Sequence, residues 1–349
     1  MVPLSVLDLS FITTGAPASA ALRNSLDLAR HADRLGFTRY WVAEHHNLPS
    51  IASTSPDIMI GQIAAVTRDI RVGSGGVMLP NHAPLLVAER FKLLEALFPG
   101  RIDLGLGRAP GTDQVTALAL RARQDAREGD DFLERLQELI YWETGGFPEG
   151  HPFHAVKAMP ADVGLPPIWL LGSSGYSAQL SGQIGVGFAF AHHFASYDAV
   201  DAMQSYRRSF KRTIWLEQPH AMLTVAAVCA DTEAEAWQLA ASTELNFLRR
   251  RRGEFSVLPS PEEALAYPYS DQDRAIIRQH RDRLFVGTPE QVKTKLLAII
   301  AETAADEVMV TSAIYDHEAR KRSYSLLAEA FAISPAGKKS VPGIAESIA

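Results

Sequence analysis

The sequence predicts an α/β fold, a (β/α)8 TIM barrel with insertions after strands 4 and 7. Three observations carry this reading. Short apolar runs alternate with helix-periodic segments, and each helix leads into one more strand, the repetition that forces a parallel sheet. Eight such strands can be marked, the number that closes a barrel rather than leaving an open sheet. Residues able to carry chemistry gather where those strands end, the functional face of such a barrel.

Taken in order, Pro3 to Leu9 is the first strand, and the loop Gly15-Ala16-Pro17 follows. Leu22, Leu26, Ala29, Ala32 and Leu35 recur at helical spacing, and Gly36 ends that helix. Arg39 to Glu44 is the second strand and runs into His45-His46-Asn47. Pro56 to Thr67 is a helix with proline in its first turn, where its missing N–H costs nothing. Ile70 to Gly73 opens the third strand, which passes through Ser74-Gly75-Gly76 into Val77-Met78-Leu79-Pro80. Ala83 to Leu97 is a helix stopped by Pro99-Gly100, and Ile102 to Gly107 is the fourth strand. After a helical segment from Asp125 to Trp142 and a loop from Gly145 to Gly164, the alternation resumes. Strand Pro167 to Leu171 leads to helix Ser177 to Ile184, and strand Phe188 to His192 to helix Tyr197 to Lys211. Strand Ala221 to Ala230 leads to helix Thr232 to Leu245, and strand Glu307 to Thr311 to helix His317 to Phe331. The stretches 109–164 and 246–287 are too long for ordinary loops, and insertions of that size build or cover sites. Residues 1–333 are expected to form one domain and 334–349 a peripheral tail.

Composition narrows the function classes. With 47% apolar and 21% charged residues, the chain has the balance of a soluble globular enzyme. A net charge of −6 gives no reason to expect nucleic acid or an anionic membrane as partner. Apolar runs such as Ala221 to Ala230 fall far short of the roughly 20 residues that span a bilayer. The opening MVPLSVLDLS lacks the basic segment of a signal peptide, and the single cysteine, Cys229, cannot form an internal disulfide. A cytoplasmic setting is expected.

Two stretches are candidates for holding an anion. Arg108 follows the fourth strand, and a guanidinium fixed there can bind two phosphate or carboxylate oxygens at once. The plainer alternative is an ion pair at the barrel rim. Gly172-Ser173-Ser174-Gly175-Tyr176 lies at a strand-to-helix turn, where backbone N–H groups and hydroxyls converge on a helix amino terminus. Here the alternative is an N-cap made by Ser173 or Ser174. Arg108 and this turn come from adjacent strands, so one phosphate can use both. Gly75-Gly76 inside an apolar strand suggests a bulge or backbone brought close to a ligand, with a barrel-closing kink as the other reading. His45 and His46 alternate in direction on their strand, as do His192 and His193, so neither pair chelates one metal easily. The four arginines Arg249 to Arg252 are either a solvated helix face or help to hold an anion under a lid.

The motifs Ala43-Glu44-His45-His46, Val72 to Pro80, Pro84 to Glu89, Pro99-Gly100-Arg101, Gly105 to Arg108 and Gly172-Ser173-Ser174 occur in series. The series resembles the bacterial luciferase-like flavin-dependent monooxygenases, over about residues 3–331. The resemblance implies a TIM barrel that binds FMN, as a homodimer packed through helices of the early βα units. It places a non-prolyl cis peptide against the flavin ring at Gly75-Gly76, phosphate binding on Arg108 and Ser173 with Tyr176 nearby, and the catalytic histidine on His45. Light-emitting luciferases carry a reactive cysteine where this chain has Gly107, so their aldehyde chemistry is not carried over.

These readings combine into a flavin-dependent oxidoreductase that uses reduced FMN and O2 on a small organic substrate. Arg108, Ser173, Ser174, Gly175 and Tyr176 are expected to hold the coenzyme phosphate, and Ser74, Gly75 and Gly76 to back the ring. His45 is expected beside the flavin's reactive edge as proton donor or orienter. The insertion 246–287 is the lid candidate, and reduced flavin is expected from a separate reductase. Three alternatives remain open: an F420-dependent dehydrogenase on the same fold, a metal-dependent barrel hydrolase using the histidine pairs, and a flavin-binding protein without turnover.

Overall fold

A computed structural model describes residues 2–121 and 131–335. The amino-terminal half runs β1 (Leu4–Asp8), α1 (Ala18–Leu35), β2 (Arg39–Val42), α2 (Pro56–Val66), β3 (Arg71–Ser74), β4 (Val77–Met78), α3 (Pro84–Leu97) and β5 (Ile102–Gly107). Two helices follow, α4 (Gln114–Leu120) and α5 (Phe132–Thr144). The expected helix start at Asp125 lies outside the described residues. Then come β6 (Ile168–Gly172), α6 (Gly175–Ile184), β7 (Gly187–Ala191), α7 (Ala199–Ser209), β8 (Ala221–Cys229) and α8 (Glu233–Arg251). The chain continues through α9 (Pro261–Ala266), α10 (Asp271–Arg281), β9 (Leu284–Gly287), α11 (Pro289–Thr303), β10 (Glu307–Thr311) and α12 (His317–Ala330).

All strand pairings of the sheet are parallel, and eight strands close on themselves in the order β1-β2-β3-β5-β6-β7-β8-β10 before β10 returns to β1. The protein is a (β/α)8 barrel, as the βα alternation predicts. Two short strands lie beside this ring. β4 continues beyond the Gly75-Gly76 interruption and pairs Val77 with Leu106 of β5. β9 pairs with the outer half of β8, Ala226 to Cys229, whereas β10 pairs with the inner half, Met222 to Ala226. Neither β9 nor the 15-residue α11 behind it is anticipated from the sequence, and α8 runs six residues past its expected end at Leu245, to Arg251.

Alternation along each strand sends every second side chain inward, so the barrel interior is layered. The layer nearest the strand starts is ionic. Arg39 pairs with Asp103 (2.7 Å) and Glu307 (3.0 Å), Arg71 with Asp103 (2.6 Å), and all four are buried. Burial alone would raise both carboxyl pKa values, but the guanidiniums outweigh it and hold Asp103 and Glu307 at about 2. The middle layer is apolar: Leu7, Trp41, Trp169, Ala189, Met222 and Met309, with the two indole rings edge to face at 5.5 Å. Between the barrel and its helices lies the main core, with Leu28, Ile60, Phe91, Phe188 and Tyr324 fully enclosed. The layer at the strand ends carries mostly small residues, including Ala43, Gly75, Gly107 and Ala191. Small side chains cannot fill the barrel mouth, and a cavity results.

Candidate active site

The cavity at the carboxyl ends of the strands has a volume of about 800 Å³, the size range of cofactor sites. Its floor is the apolar barrel, including Leu7, Leu9, Leu171 and Met309. His45, Gly75, Arg108, Ser173, Ser174 and Tyr176 all border it, so six of the nine residues expected to act are brought together. Ser74, Gly76 and Gly175 lie behind its surface.

Ser74 is fully buried and spent on its neighbour strand: its Oγ donates to the Gly105 carbonyl (2.8 Å) and accepts from the Gly105 N–H (2.9 Å). The expected ligand-facing role therefore becomes a structural one, clamping β3 to β5 where the strand is interrupted. A Cβ at Gly105 would stand 2.0 Å from the Ser74 carbonyl oxygen, so this approach requires glycine. The Gly75-Gly76 peptide is cis, and Gly75 presents bare backbone to the cavity.

Two strands further round the barrel, α6 begins with Ser174 as N-cap, and that side chain makes no capping hydrogen bond. Ser177 Oγ donates back to the Ser174 carbonyl (3.0 Å), while the Ser173 and Ser174 hydroxyls have no partner among the described residues. The N-cap alternative is thus not realised by a side chain, and Ser173, Ser174, Tyr176 and Ser177 at the start of α6 border the cavity. The Arg108 guanidinium lies 4.9 Å from the centre of the Tyr176 ring, which fixes the cation at this same helix start.

His45 is positioned from two sides. Its backbone N–H donates to Ser53 O (3.1 Å), and its Nδ1 lies 3.2 Å from the Gly111 carbonyl oxygen. Burial lowers its pKa below the ordinary histidine value. The preceding Glu44 is fully buried and receives His82 Nε2 (2.9 Å), His46 Nε2 (3.0 Å) and the Met78 N–H (2.9 Å). Burial would raise the Glu44 carboxyl, but its hydrogen bonds to His82 and His46 hold it below the usual range. Glu44 therefore fastens the end of β2 to the segment after the cis peptide, and it engages His46 away from His45.

The remaining wall comes from the 246–287 segment and the helix leading into it. Thr243, Asn246, Phe247 and Arg250 of α8 line the cavity with His280 of α10, whose ring stacks on Phe247 at 3.7 Å. Arg250 comes from the arginine run expected as a solvated face or an anion holder, whereas Thr243, Asn246 and Phe247 carry no sequence motif and join it only through helical spacing read to the true end of α8. His193 also borders the cavity, and burial pushes it down to about 4; its Nδ1 lies 3.3 Å from Thr224 O. His192 is not part of the lining and faces Phe285 at 6.2 Å. None of the four strand-end histidines belongs to a group of three potential metal ligands among the described residues. The one such group, Asp27, His317 and Glu318, lies elsewhere, with Lys321 paired to both carboxylates.

Residues 2–307 match the family of luciferase-like monooxygenases. A luciferase-like monooxygenase of Escherichia coli (strain K12) is 44% identical over 325 residues, covering 93% of this chain and 96% of that protein. Among solved structures, apo-MsnO8 is 37% identical with a TM-score of 0.86, over 96% of this chain and 99% of that one. The oxygenating constituent of 3,6-diketocamphane monooxygenase from Pseudomonas putida, solved in complex with FMN, shares the fold at 18% identity and a TM-score of 0.69, over 96% of this chain and 98% of that one. The chain belongs to the luciferase-like monooxygenase family.

Proposed function

We propose that this protein uses reduced FMN and O2 to oxygenate a small organic substrate. The observation that carries the reading is the start of α6: a helix terminus without a side-chain cap, two serine hydroxyls with no partner among the described residues and Arg108 over Tyr176 meet at one edge of the cavity. A phosphate there would receive backbone amides, hydroxyls and a guanidinium together. In the same cavity, the side-chain-free Gly75 would give a planar ring a surface to lie on.

When bound, reduced FMN supplies the electrons and the centre that reacts with O2. The residues of the chain do the rest. Arg108, Ser173 and Ser174 would hold the phosphate, with the Tyr176 ring stacked under Arg108. Gly75-Gly76 supports the ring, and Ser74 holds that support rigid. His45, with Nδ1 engaged by Gly111 O, offers Nε2 to accept or position a proton. The wall from α8 and α10 excludes water. The coenzyme would arrive reduced from a separate flavin reductase. Ile58 on α2 and Leu86, Leu93 and Leu97 on α3 are exposed apolar side chains, which supports a homodimer packed through these helices. No helix of the described residues is long and apolar enough to cross a membrane, in keeping with work in the cytoplasm.

The test is anaerobic titration with reduced FMN and reduced F420, followed by O2 uptake with candidate substrates. Saturable FMN binding and substrate-dependent O2 uptake are expected. Preference for F420 without O2 uptake would move the chemistry to hydride transfer, and FMN binding without any uptake would leave a flavin carrier. Binding of neither coenzyme would overturn the reading.

A further inference from the structure

We propose that the substrate of this cavity is a small organic acid, its carboxylate seated against Arg250 and a neighbouring N–H or O–H donor received by Asn246. The proposal rests on the flavin reading of the same cavity, because it assigns the space that the coenzyme leaves. Four observations converge on it.

The first is the cavity's charge. Arg108, Arg250 and Arg251 line it, and among the described residues no aspartate or glutamate does. Arg108 belongs with the α6 terminus. A second positive pole therefore stands at the exposed rim of the cavity, with no lining carboxylate among the described residues to neutralise it.

The second is how the four-arginine run divides. Arg249 pairs with Glu263 (2.8 Å) and Arg252 with Asp273 (2.5 Å), which ties the end of α8 to α9 and α10. Arg250 and Arg251 turn to the cavity, and neither has an ion-pair partner among the described residues. The run is thus two structural clamps and two cations aimed at the site. The fixed outer pair holds the inner pair in register, so Arg250 is presented by an anchored helix end.

The third is where the Arg250 charge is felt. It acts on both His45 and His193, which border the cavity from β2 and β7. Arg250, His45 and His193 border one cavity, so a carboxylate held by Arg250 would share that cavity with His45.

The fourth is Asn246. It lies one helical turn before Arg250 on the same face of α8, borders the cavity and is only 7% exposed, yet its Oδ1 has no hydrogen-bond partner among the described residues. Thr243, the preceding polar residue on this face, spends its hydroxyl on Ala313 O (3.0 Å). Buried acceptors are normally satisfied, so Asn246 is a vacancy that a ligand donor fills. A carboxylate with an N–H or O–H close by, as in N-acylated amino acids or hydroxy acids, meets both groups, while its apolar remainder rests on Leu9, Val228, Val286 and Met309.

The experiment compares acids with their neutral primary amides on the FMN-loaded protein and on the protein without FMN. The panel is N-acetylalanine, N-acetylmethionine and N-acetylphenylalanine, phenyllactate, and the amide of each, measured by equilibrium dialysis. Wild type is expected to bind at least one acid about ten-fold or more tightly than its amide, the scale of one charge-assisted contact. Arg250→Gln abolishes that preference, Arg250→Lys keeps part of it, and Asn246→Leu weakens the acids without removing it. FMN affinity stays unchanged in Arg250→Gln. Equal binding of acids and amides, no binding of any acid, or a preference that survives Arg250→Gln would overturn the proposal. So would a parallel loss of FMN affinity in Arg250→Gln, because the arginine would then serve the coenzyme. An acid preference in a protein that fails to bind FMN would uphold the Arg250 site while sinking the coenzyme reading, so the two failures are told apart.

Discussion

His45 Nδ1 lies 3.2 Å from the carbonyl oxygen of Gly111, and that contact decides the tautomer of the ring. A carbonyl can only accept, so Nδ1 carries the proton and Nε2 keeps its lone pair. Burial disfavours the imidazolium and lowers the pKa below the ordinary 6.5. The shift favours the neutral ring, which suits it to act as a proton or hydrogen-bond acceptor rather than a standing acid.

Nitrogen NMR of the histidines checks this directly. His45 is expected to titrate below pH 6.5 and to show a protonated Nδ1 and a bare Nε2 from pH 6.5 to 8. His45→Ala is expected to lower turnover by about 10²–10⁴-fold, the range for a positioned proton-transfer group. A His45 midpoint above 6.5 would remove the acceptor role.

The Ser74–Gly105 clamp predicts two different outcomes for two small changes. Ser74→Ala leaves the Gly105 N–H and carbonyl without their buried partner and is expected to lower stability by about 1–3 kcal/mol. FMN affinity is expected to fall less than stability, since Ser74 acts on the ring support from behind the cavity surface. Gly105→Ala drives a methyl into the Ser74 backbone, so both stability and FMN affinity are expected to fall. Chemical denaturation and flavin titration on the same samples separate the two.

His193 predicts how stability responds to acid. Its folded pKa, pushed by burial to about 4, is lower than the unfolded value near 6.5. The unfolded chain therefore binds more protons between those values, and stability falls as pH drops from about 6.5 to 4, by about 3 kcal/mol at about 1.4 kcal/mol per unit. His280, also lowered by burial to about 4, adds a loss of the same sign. The Asp103 and Glu307 carboxyls, held at about 2, are lost in a lower window, as pH falls below the usual carboxylate range. Urea unfolding from pH 7 to 4 is expected to show a shallower decline for His193→Gln than for wild type.

Much of this architecture is legible in the sequence because the physics is local. The βα alternation, the proline-led helices and the glycine stops report barrel strands and helices with small boundary errors. Arg108, Ser173, Ser174 and His45 announce themselves as polar residues at strand ends, and the structure gathers them around one cavity. What escapes reading is set by distant partners. β9 is a four-residue run, Leu284 to Gly287, that becomes a strand because the outer half of the long β8 is left unpaired by β10. α11 carried a readable signal in its Thr288 and Gln291 capping box with Pro289 between them, masked by the insertion around it. Ser74 illustrates the limit for side chains: its position beside the glycines suggests a ligand contact, yet its hydroxyl finds Gly105 on the next strand first. Asn246, His280 and Glu44 likewise gain their place from packing.

The central claim is a phosphate cradle at the start of α6 faced by Arg108. The most direct measurement is the affinity of oxidised FMN against riboflavin, which differ only in the phosphate, for wild type and for Arg108→Ala combined with Ser173→Ala and Ser174→Ala. The account predicts that wild type binds FMN at least about ten-fold more tightly than riboflavin, and that the substituted protein binds the two within about two-fold. Equal affinity of wild type for both, or a preference for FMN that survives the substitutions, would contradict it.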